Sequence, residues 1–321
     1  MSARRVTNRQ LRGRAATAPA QDPGDSPTRE IALSRVAAWR ARTRATTRAM
    51  LLGLVPRRSA IALADSDLQM SDAHFEQAVC RNCGEPREQP FCGACGQGVV
   101  ARLSLRDLFQ EFWQRSRAFE SATVHAALNL FHSPGRVARE YVLGARKRHM
   151  HPLKLLLVAV ATLVLLLAET RYLTAGQDDL GPQMLLVVRW ARWSFTLGLF
   201  AIVIATITAF PRRLGLNLVE HLTLAAYVQF VILAVNIANL LPLLVLDITR
   251  WVPAWRAAAG WYMWPIESAI LALALMQFFR LRLPRDLGRL VLAIAVFVLA
   301  KKALLLGYGH LIARVVLHAA D

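Results

Sequence analysis

Long apolar stretches separated by short polar segments fill the second half of this 321-residue chain. A helix needs about 20 mainly apolar residues to cross a bilayer. Five stretches meet this requirement or come close to it, and each carries few charges. The pattern predicts a membrane region at residues 153–318 with helices at about 153–169, 193–210, 222–246, 262–279 and 288–312.

Shorter helical patterns precede the first predicted span, in a juxtamembrane region at residues 102–152. Apolar side chains recur there at the i, i+3, i+4, i+7, i+8 spacing of one helix face, at Leu105, Leu108, Phe109, Phe112 and Trp113. Ser104 and Asp107 are typical of the amino-terminal cap of such a helix. The stripe fits ordinary packing or a helix that lies on the bilayer surface. A second helical run, at 123–131, is predicted to end at Ser133-Pro134-Gly135.

Residues 1–70 show no sustained apolar period and no core of a secretory signal. Their basic, acid-poor composition is similar to that of a transit peptide, but 35 Arg against four Lys in the whole chain favours a GC-rich bacterial gene. A disordered leader is the simplest interpretation. The alternative expectation is that translation begins at Met70, directly before the cysteines described below.

Charge indicates how the chain is oriented. The formal net charge is +18, although 55% of the residues are hydrophobic. Basic residues near the span ends number twelve on one side and six on the other. The positive-inside rule then predicts a multi-pass protein of the bacterial inner membrane with a cytosolic amino terminus and an external carboxyl terminus. Four tryptophans are predicted to form an interfacial belt in the outer loop between the third and fourth spans, namely Trp251, Trp255, Trp261 and Trp264.

All four cysteines lie in one short segment, within a module predicted at residues 78–98. Two CxxC pairs, Cys80 with Cys83 and Cys92 with Cys95, are each followed by a glycine that permits a tight turn. Four thiolates in this spacing predict a closed, structural Zn²⁺ site without catalytic function. Iron would accept the same ligands. Two disulfides are disfavoured because the segment is predicted to face the reducing cytosol.

A basic cluster, Arg146, Lys147 and Arg148, directly precedes the first predicted span. Its position favours a topology anchor, and binding of anionic lipid headgroups is the functional alternative. Binding of nucleic acid is a third interpretation, but a basic patch so close to the bilayer has little room for a duplex. No aromatic-interleaved recognition pattern supports it either.

The motifs together are similar to a known family. CRNCG followed by FCGACGQ, the run LNLFHSPGRVAREYVLGARKRHMHPLK, and Glu220-His221 at the start of the third span resemble uncharacterised bacterial membrane proteins with a domain of unknown function. The resemblance covers roughly residues 80–240. It implies a short cytosolic zinc ribbon joined to a multi-span bundle, and it implies no activity.

Polar residues inside the predicted spans are the first place to look for function in a membrane protein. Gln229, Asn236 and Asn239 share one face of the third span, where they favour hydrogen bonding between helices or, alternatively, a polar path for a small substrate. Pro242 is expected to kink that helix. In the last two spans, Glu267 is predicted to form an ion pair with Lys301 or Lys302.

A further polar group lies at the predicted cytosolic interface, at His149, His151, Glu220 and His221. Interface anchoring is the favoured interpretation. The alternative is a second metal or acid–base site, although the sequence has no HExxH, GxSxG, P-loop or dinucleotide-binding fingerprint to support it.

The sequence therefore predicts a mainly α protein, a polytopic helical membrane bundle of about five spans with a small cytosolic zinc-ribbon module. The function that fits best is a binding or assembly component whose ribbon docks a partner protein. Two alternatives stay open: a small-solute or ion transporter that uses the intramembrane polar residues, and a membrane-embedded lipid-modifying enzyme that uses the interfacial cluster.

Overall fold

The computed structural model describes residues 70–76, 78–115, 130–174, 181–245 and 248–318. The predictions about residues 1–69, and most of the helical run at 123–131, lie outside these ranges. The described part is mainly helical and has no strand. Its helices are α1 (Leu105–Arg115), α2 (Pro134–Val142), α3 (Pro152–Glu169), α4 (Pro182–Ala191), α5 (Leu197–Ala209), α6 (Leu218–Leu240), α7 (Ile248–Phe279) and α8 (Leu283–His318).

Five helical segments are long and apolar enough to cross a membrane, which confirms the predicted fold class. Helix α3 is the first span. Helices α4 and α5 are joined by a 3-10 turn and form the second, while α6 continues into a 3-10 turn at Leu241–Leu244 and forms the third. The spans run over Pro152–Glu169, Met184–Ala209, Leu218–Leu244, Arg250–Phe279 and Leu283–Val316.

The third span is the central helix of the bundle. Of its most apolar 18-residue window, 61% is buried, against 17% for the fifth span. Its start is fixed by a capping box, in which the Asn217 side chain accepts the Glu220 amide and the Glu220 carboxylate accepts the Asn217 amide. These bonds satisfy amides that have no partner within the helix. At the other end, the α-helix stops at Leu240 and Pro242 lies in the 3-10 turn that follows.

The tryptophan-rich segment is helical, and its prediction as an outer loop is wrong. Trp251, Trp255, Trp261 and Trp264 all lie on α7, which also contains Pro253 and Pro265. Hydropathy ends a span at its first charged residues, whereas the helix continues through Arg250 and Arg256. Arginine and alanine are strong helix formers and do not interrupt it.

The largest apolar core lies where α2, α5, α6 and α7 meet. Its fully buried aromatic side chains include Tyr141, Tyr227, Phe210, Phe278 and Phe279. The rings of Phe210 and Phe279 stack with centroids 4.3 Å apart. This core joins the short helix α2 to the spans.

Helix α1 confirms the helix predicted from the apolar stripe. The Asp107 amide donates to Ser104 Oγ over 3.2 Å, as the predicted cap requires. Leu108 is buried, whereas Phe109 and Trp113 are exposed. One side of α1 is therefore packed against the protein, and the other carries an exposed apolar row.

Candidate metal centre and intramembrane polar site

The two cysteine knuckles have the same backbone hydrogen bonds. In the first, the Cys80 amide donates to Glu85 O over 2.8 Å and the Gly84 amide donates to Cys80 O over 2.8 Å. In the second, the Cys92 and Gly96 amides form the equivalent bonds. Gly84 and Gly96 have φ angles of 83° and 66°, a left-handed conformation that glycine adopts without steric cost. The expected turn after each second cysteine is thus confirmed.

The four cysteine sulfurs converge on one centre and could hold a metal ion. The Cys80–Cys95 sulfurs are 3.6 Å apart, the Cys83–Cys92 sulfurs are 3.5 Å apart, and all four lie within 4.8 Å of one another. A tetrahedral Zn²⁺ with bonds of about 2.3 Å separates its sulfurs by about 3.8 Å. A disulfide needs about 2.05 Å, so these distances do not fit one. The donor set therefore fits a tetrahedral metal ion.

The pKa values of these thiols imply that metal binding would release protons. Burial raises the pKa of the Cys83 thiol to about 12, whereas hydrogen bonding from the Cys95 backbone lowers the pKa of Cys92 to about 6. Near neutral pH, the four sulfurs would not all be thiolates without a metal. A divalent cation supplies the charge that stabilises all four thiolates together.

The cysteine module, residues 78–98, is bound to the segment that leads into the first span. The buried Gln97 amide makes two hydrogen bonds to that segment: its Nε2 donates to Gly144 O over 2.8 Å, and its Oε1 accepts the Lys147 amide over 3.0 Å. Nearby, the Arg148 guanidinium donates to the backbone carbonyl of Asn82. Each of these bonds crosses between the module and the segment, so together they hold the module against the helices.

The basic cluster predicted as an anchor contributes to this packing. The Arg146 side chain is buried and forms an ion pair of 2.6 Å with Glu111 on α1. Arg148 lies 3.6 Å from Glu140, whose carboxylate also contacts His149 over 2.8 Å. These contacts engage Arg146 and Arg148 within the protein. Topology anchoring and headgroup binding stay predictions.

The Glu140 carboxyl is the acidic centre of this region. Burial alone would raise its pKa, but the hydrogen bond from His149 and the charges of Arg148 and Arg136 lower it overall. Glu140 is therefore charged at neutral pH and links the basic segment to α2.

Helix α2 attaches the segment to the fourth span. A Cβ placed on Gly135 would lie 1.9 Å from the Ala274 carbonyl oxygen, so only glycine allows this approach of α2 to α7. The buried Arg139 donates to Phe278 O over 2.7 Å, in the last turn of α7. This bond satisfies a carbonyl that has no partner within its own helix. Burial, together with the charges of Arg280 and Arg213, lowers the pKa of Arg139 to about 10.

The predicted interfacial cluster is divided among separate contacts. Glu220 is fully buried and pairs with Arg102, which follows the cysteine module, over 3.0 Å. His221 contacts Thr206 Oγ1 over 3.1 Å, while His151 packs edge-on against Tyr141. In the described residues, the four cysteines form the only group of three or more His, Cys, Asp or Glu suited to a metal.

The intramembrane polar residues are partly brought together. The Lys301 ammonium pairs with the buried Glu267 carboxylate. It also lies 4.9 Å from the centroid of the Trp264 ring. Lys302 is 5.7 Å from the same ring. Of the two lysines that the sequence offered, Lys301 is thus the partner of Glu267.

A cavity of about 240 Å³ adjoins this ion pair. Asn236 and Asn239 line it, but Gln229 does not; the Gln229 Nε2 donates to Phe195 O over 2.8 Å. Arg256 also lines the cavity and was missed by the sequence analysis. Its spacing from Glu267 offered a signal, because eleven residues are just over three helical turns and place both residues on one face of α7.

One comparison with known proteins found a match. Residues 124–164 match a family model described as protein of unknown function (DUF3667). No curated protein and no solved structure matches the chain. The matched segment contains α2 and the basic segment, the same region that ties the cysteine module to the helices. The match agrees with the resemblance to an uncharacterised family, and it carries no activity.

Proposed function

We propose that this chain is a bacterial inner-membrane protein that acts as a binding or assembly component. In this proposal, the cysteine module faces the cytosol, holds a structural Zn²⁺ and docks a partner protein. One observation carries it: the module is bound to the helices on one side and exposes a large aromatic side chain elsewhere. Phe91 is 68% exposed, and Val99, which directly follows the module, is 61% exposed.

Exposed aromatic residues on a small rigid module are typical of protein interfaces. Phe91 directly precedes Cys92, and its backbone pairs with Gly98 in an antiparallel bridge. The metal-bound knuckle would therefore fix the backbone from which this ring projects. A loosely tethered module would lose side-chain and chain entropy on binding, whereas a fixed module presents its surface already ordered.

The partner can be sought by capture of the full chain from native membranes with a reversible crosslinker. We expect a protein partner that is lost with Phe91→Ser and with Cys83→Ser. Glu88→Ser is the matched control, because Glu88 is an exposed, charged residue of the same module. Zinc content of the Phe91→Ser variant verifies that its knuckle is intact. A partner captured equally by all variants would contradict docking through the module.

Orientation can be tested separately with carboxyl-terminal reporters. We expect an alkaline phosphatase fusion to be active and a fluorescent protein fusion to be dark, because five spans with a cytosolic start end outside. The opposite pair of results would exclude a cytosolic cysteine module.

The cavity favours a second candidate function, a small-solute or ion transporter. Its walls carry the Glu267–Lys301 pair together with Asn236 and Arg256, within helices that can span a bilayer. Charged side chains within membrane-spanning helices commonly mark the path of a substrate or ion. The uptake of a small solute or ion into proteoliposomes that contain the full chain should be reduced by Glu267→Gln and by Asn236→Ala. Uptake that is the same for both variants and the natural chain would exclude this function.

No specific observation favours the lipid-modifying enzyme. Its candidate residues make separate contacts, His149 with Glu140, His221 with Thr206, and Glu220 with Arg102.

A further inference from the structure

The cavity beside the Glu267–Lys301 pair lies toward the end of the bundle that is remote from the cysteine module. The first span begins next to the module at Pro152, and its contribution to the cavity, Leu167, is near its other end. All five spans contribute to the lining. The cavity is thus a feature of the assembled bundle and cannot arise from one helix alone.

The formal charges of the residues that line the cavity do not sum to zero. Among the described residues that line the cavity, Arg256 and Lys301 are cations and Glu267 is the one acidic residue. Arg256 Nη1 donates to the carbonyls of Tyr172 and Leu173 over 3.1 and 3.3 Å, which fixes its guanidinium at the wall. One formal positive charge is left over among these groups. Arg256 is half-buried, and its positive charge is met by carbonyl dipoles and not by a carboxylate, so this excess of positive charge would favour a bound anion.

The rest of the lining is mainly apolar. Leucine, methionine, alanine and aromatic side chains surround the charged groups, at Leu167, Leu240, Leu305, Met263, Ala259, Phe195 and Trp264. A volume of about 240 Å³ is below the roughly 300–1,000 Å³ typical of sites for drug-sized ligands. The ligand that fits this combination is small and has an apolar body with one charged end.

We propose that this cavity binds a small organic carboxylate, with its charged end toward Arg256 and Lys301 and its short apolar body against the leucines. Arginine suits this role because its planar guanidinium can give a carboxylate two parallel hydrogen bonds. This inference rests on the second candidate function and deepens it, since it names a class of ligand. Binding at the cavity does not itself require transport.

The test is equilibrium binding to the full, metal-loaded chain in detergent micelles, measured by isothermal titration calorimetry. Hexanoate is the probe, and hexylamine and hexanol are controls with the same apolar body. We expect hexanoate to bind at least about ten-fold more tightly than either control, because only the carboxylate compensates the excess positive charge.

Variants then locate the site. Arg256→Gln and Lys301→Gln should each weaken hexanoate binding about ten-fold or more. Lys302→Gln is the matched control, because Lys302 neighbours Lys301 but does not line the cavity, and it should bind within about two-fold of the natural chain. Gly260→Met keeps every charge and adds a side chain at a lining position where a Cβ meets no atom within 4 Å. It should abolish binding and remain testable if a charge variant fails to fold.

Three results would overturn the proposal: hexanol binding as tightly as hexanoate, hexanoate binding unchanged in Gly260→Met, or hexanoate failing to displace an anionic phospholipid retained through purification. The last result would assign the same chemistry to a lipid headgroup. Uptake of another solute that persists without hexanoate binding would leave the transporter standing and reject only this ligand class.

Discussion

The junction that joins the cysteine module, the basic segment and α2 to the end of α7 uses charged residues in one way, and the cavity among the spans uses them in the opposite way. At the junction, Arg139, Glu140 and Arg146 each contact a partner on another element and are largely buried with it. At the cavity, the Glu267–Lys301 pair and Arg256 border about 240 Å³ of space that side chains do not fill.

This difference separates a structural use of charge from a binding use. Filled, hydrogen-bonded polar contacts fix one arrangement of the chain, whereas polar groups around unfilled space can accept a ligand. The junction therefore accounts for how the module is held in place, and the cavity is the better candidate for small-molecule chemistry.

Removal of the metal should unfold the cysteine module and leave the spans helical. Structural zinc contributes about 10–16 kcal/mol in small zinc-binding peptides, and a module of this size has little core of its own. Elemental analysis should find one metal per chain, lost after chelation and in Cys83→Ser. Far-UV circular dichroism should change little. Full metal content in Cys83→Ser would contradict the assignment of the four cysteines.

The ion pair between Glu267 and Lys301 should show strong coupling. Glu267→Leu or Lys301→Met alone should lower the free energy of unfolding by about 3–5 kcal/mol, because each leaves an uncompensated buried charge. The double variant Glu267→Leu with Lys301→Met should recover most of the loss. Chemical denaturation in detergent measures all three. Additive effects of the two single changes would mean that the pair contributes nothing as a pair.

Gly135→Ala tests how tightly the junction is packed. The added methyl would meet the Ala274 carbonyl at 1.9 Å, so α2 must move away from α7, and we expect a loss of about 3 kcal/mol. Gly288→Ala is the control, because a Cβ there meets no atom within 4 Å. Alanine also favours helix over glycine, so the control should be neutral or stabilising by up to about 1 kcal/mol. Thermal unfolding followed by tryptophan fluorescence compares them, and equal melting temperatures would contradict close packing.

Acid should weaken the junction through Glu140. Its pKa is lowered in the folded protein from the usual 4.5, so its contribution is present above pH 4.5 and is lost as the pH falls through the folded value. Glu140→Gln should remove this contribution at neutral pH. The difference in unfolding free energy between the natural chain and Glu140→Gln should shrink as the pH falls below 4.5, and a constant difference would exclude this linkage.

Local spacing made part of this molecule predictable. Two CxxC pairs near each other in the chain predicted the convergence of Cys80, Cys83, Cys92 and Cys95, because tight knuckles leave the sulfurs few other positions. Hydropathy predicted five spans, and their expected depth in the bilayer suggested Glu267 with Lys301. These predictions need only local geometry or one coordinate along the bilayer normal.

Contacts that depend on how the helices are rotated and packed were not predictable. Arg139 bonds to Phe278, 139 residues away, and Gly135 meets Ala274 at a similar separation. Neither hydropathy nor charge specifies which helix faces meet. The prediction of the tryptophan-rich segment as a loop is wrong because the charges of Arg250 and Arg256 lower its hydropathy, while arginine still favours a helix.

Hydrogen exchange of the full chain, measured by mass spectrometry before and after chelation, tests the proposed separation of the two regions most directly. Loss of protection is expected in residues 80–98 and, through Gln97 and Arg148, in residues 144–149, while residues 256–267 and 297–305 around the cavity keep theirs. Unchanged exchange at 144–149, or equal loss around the cavity, would contradict the account.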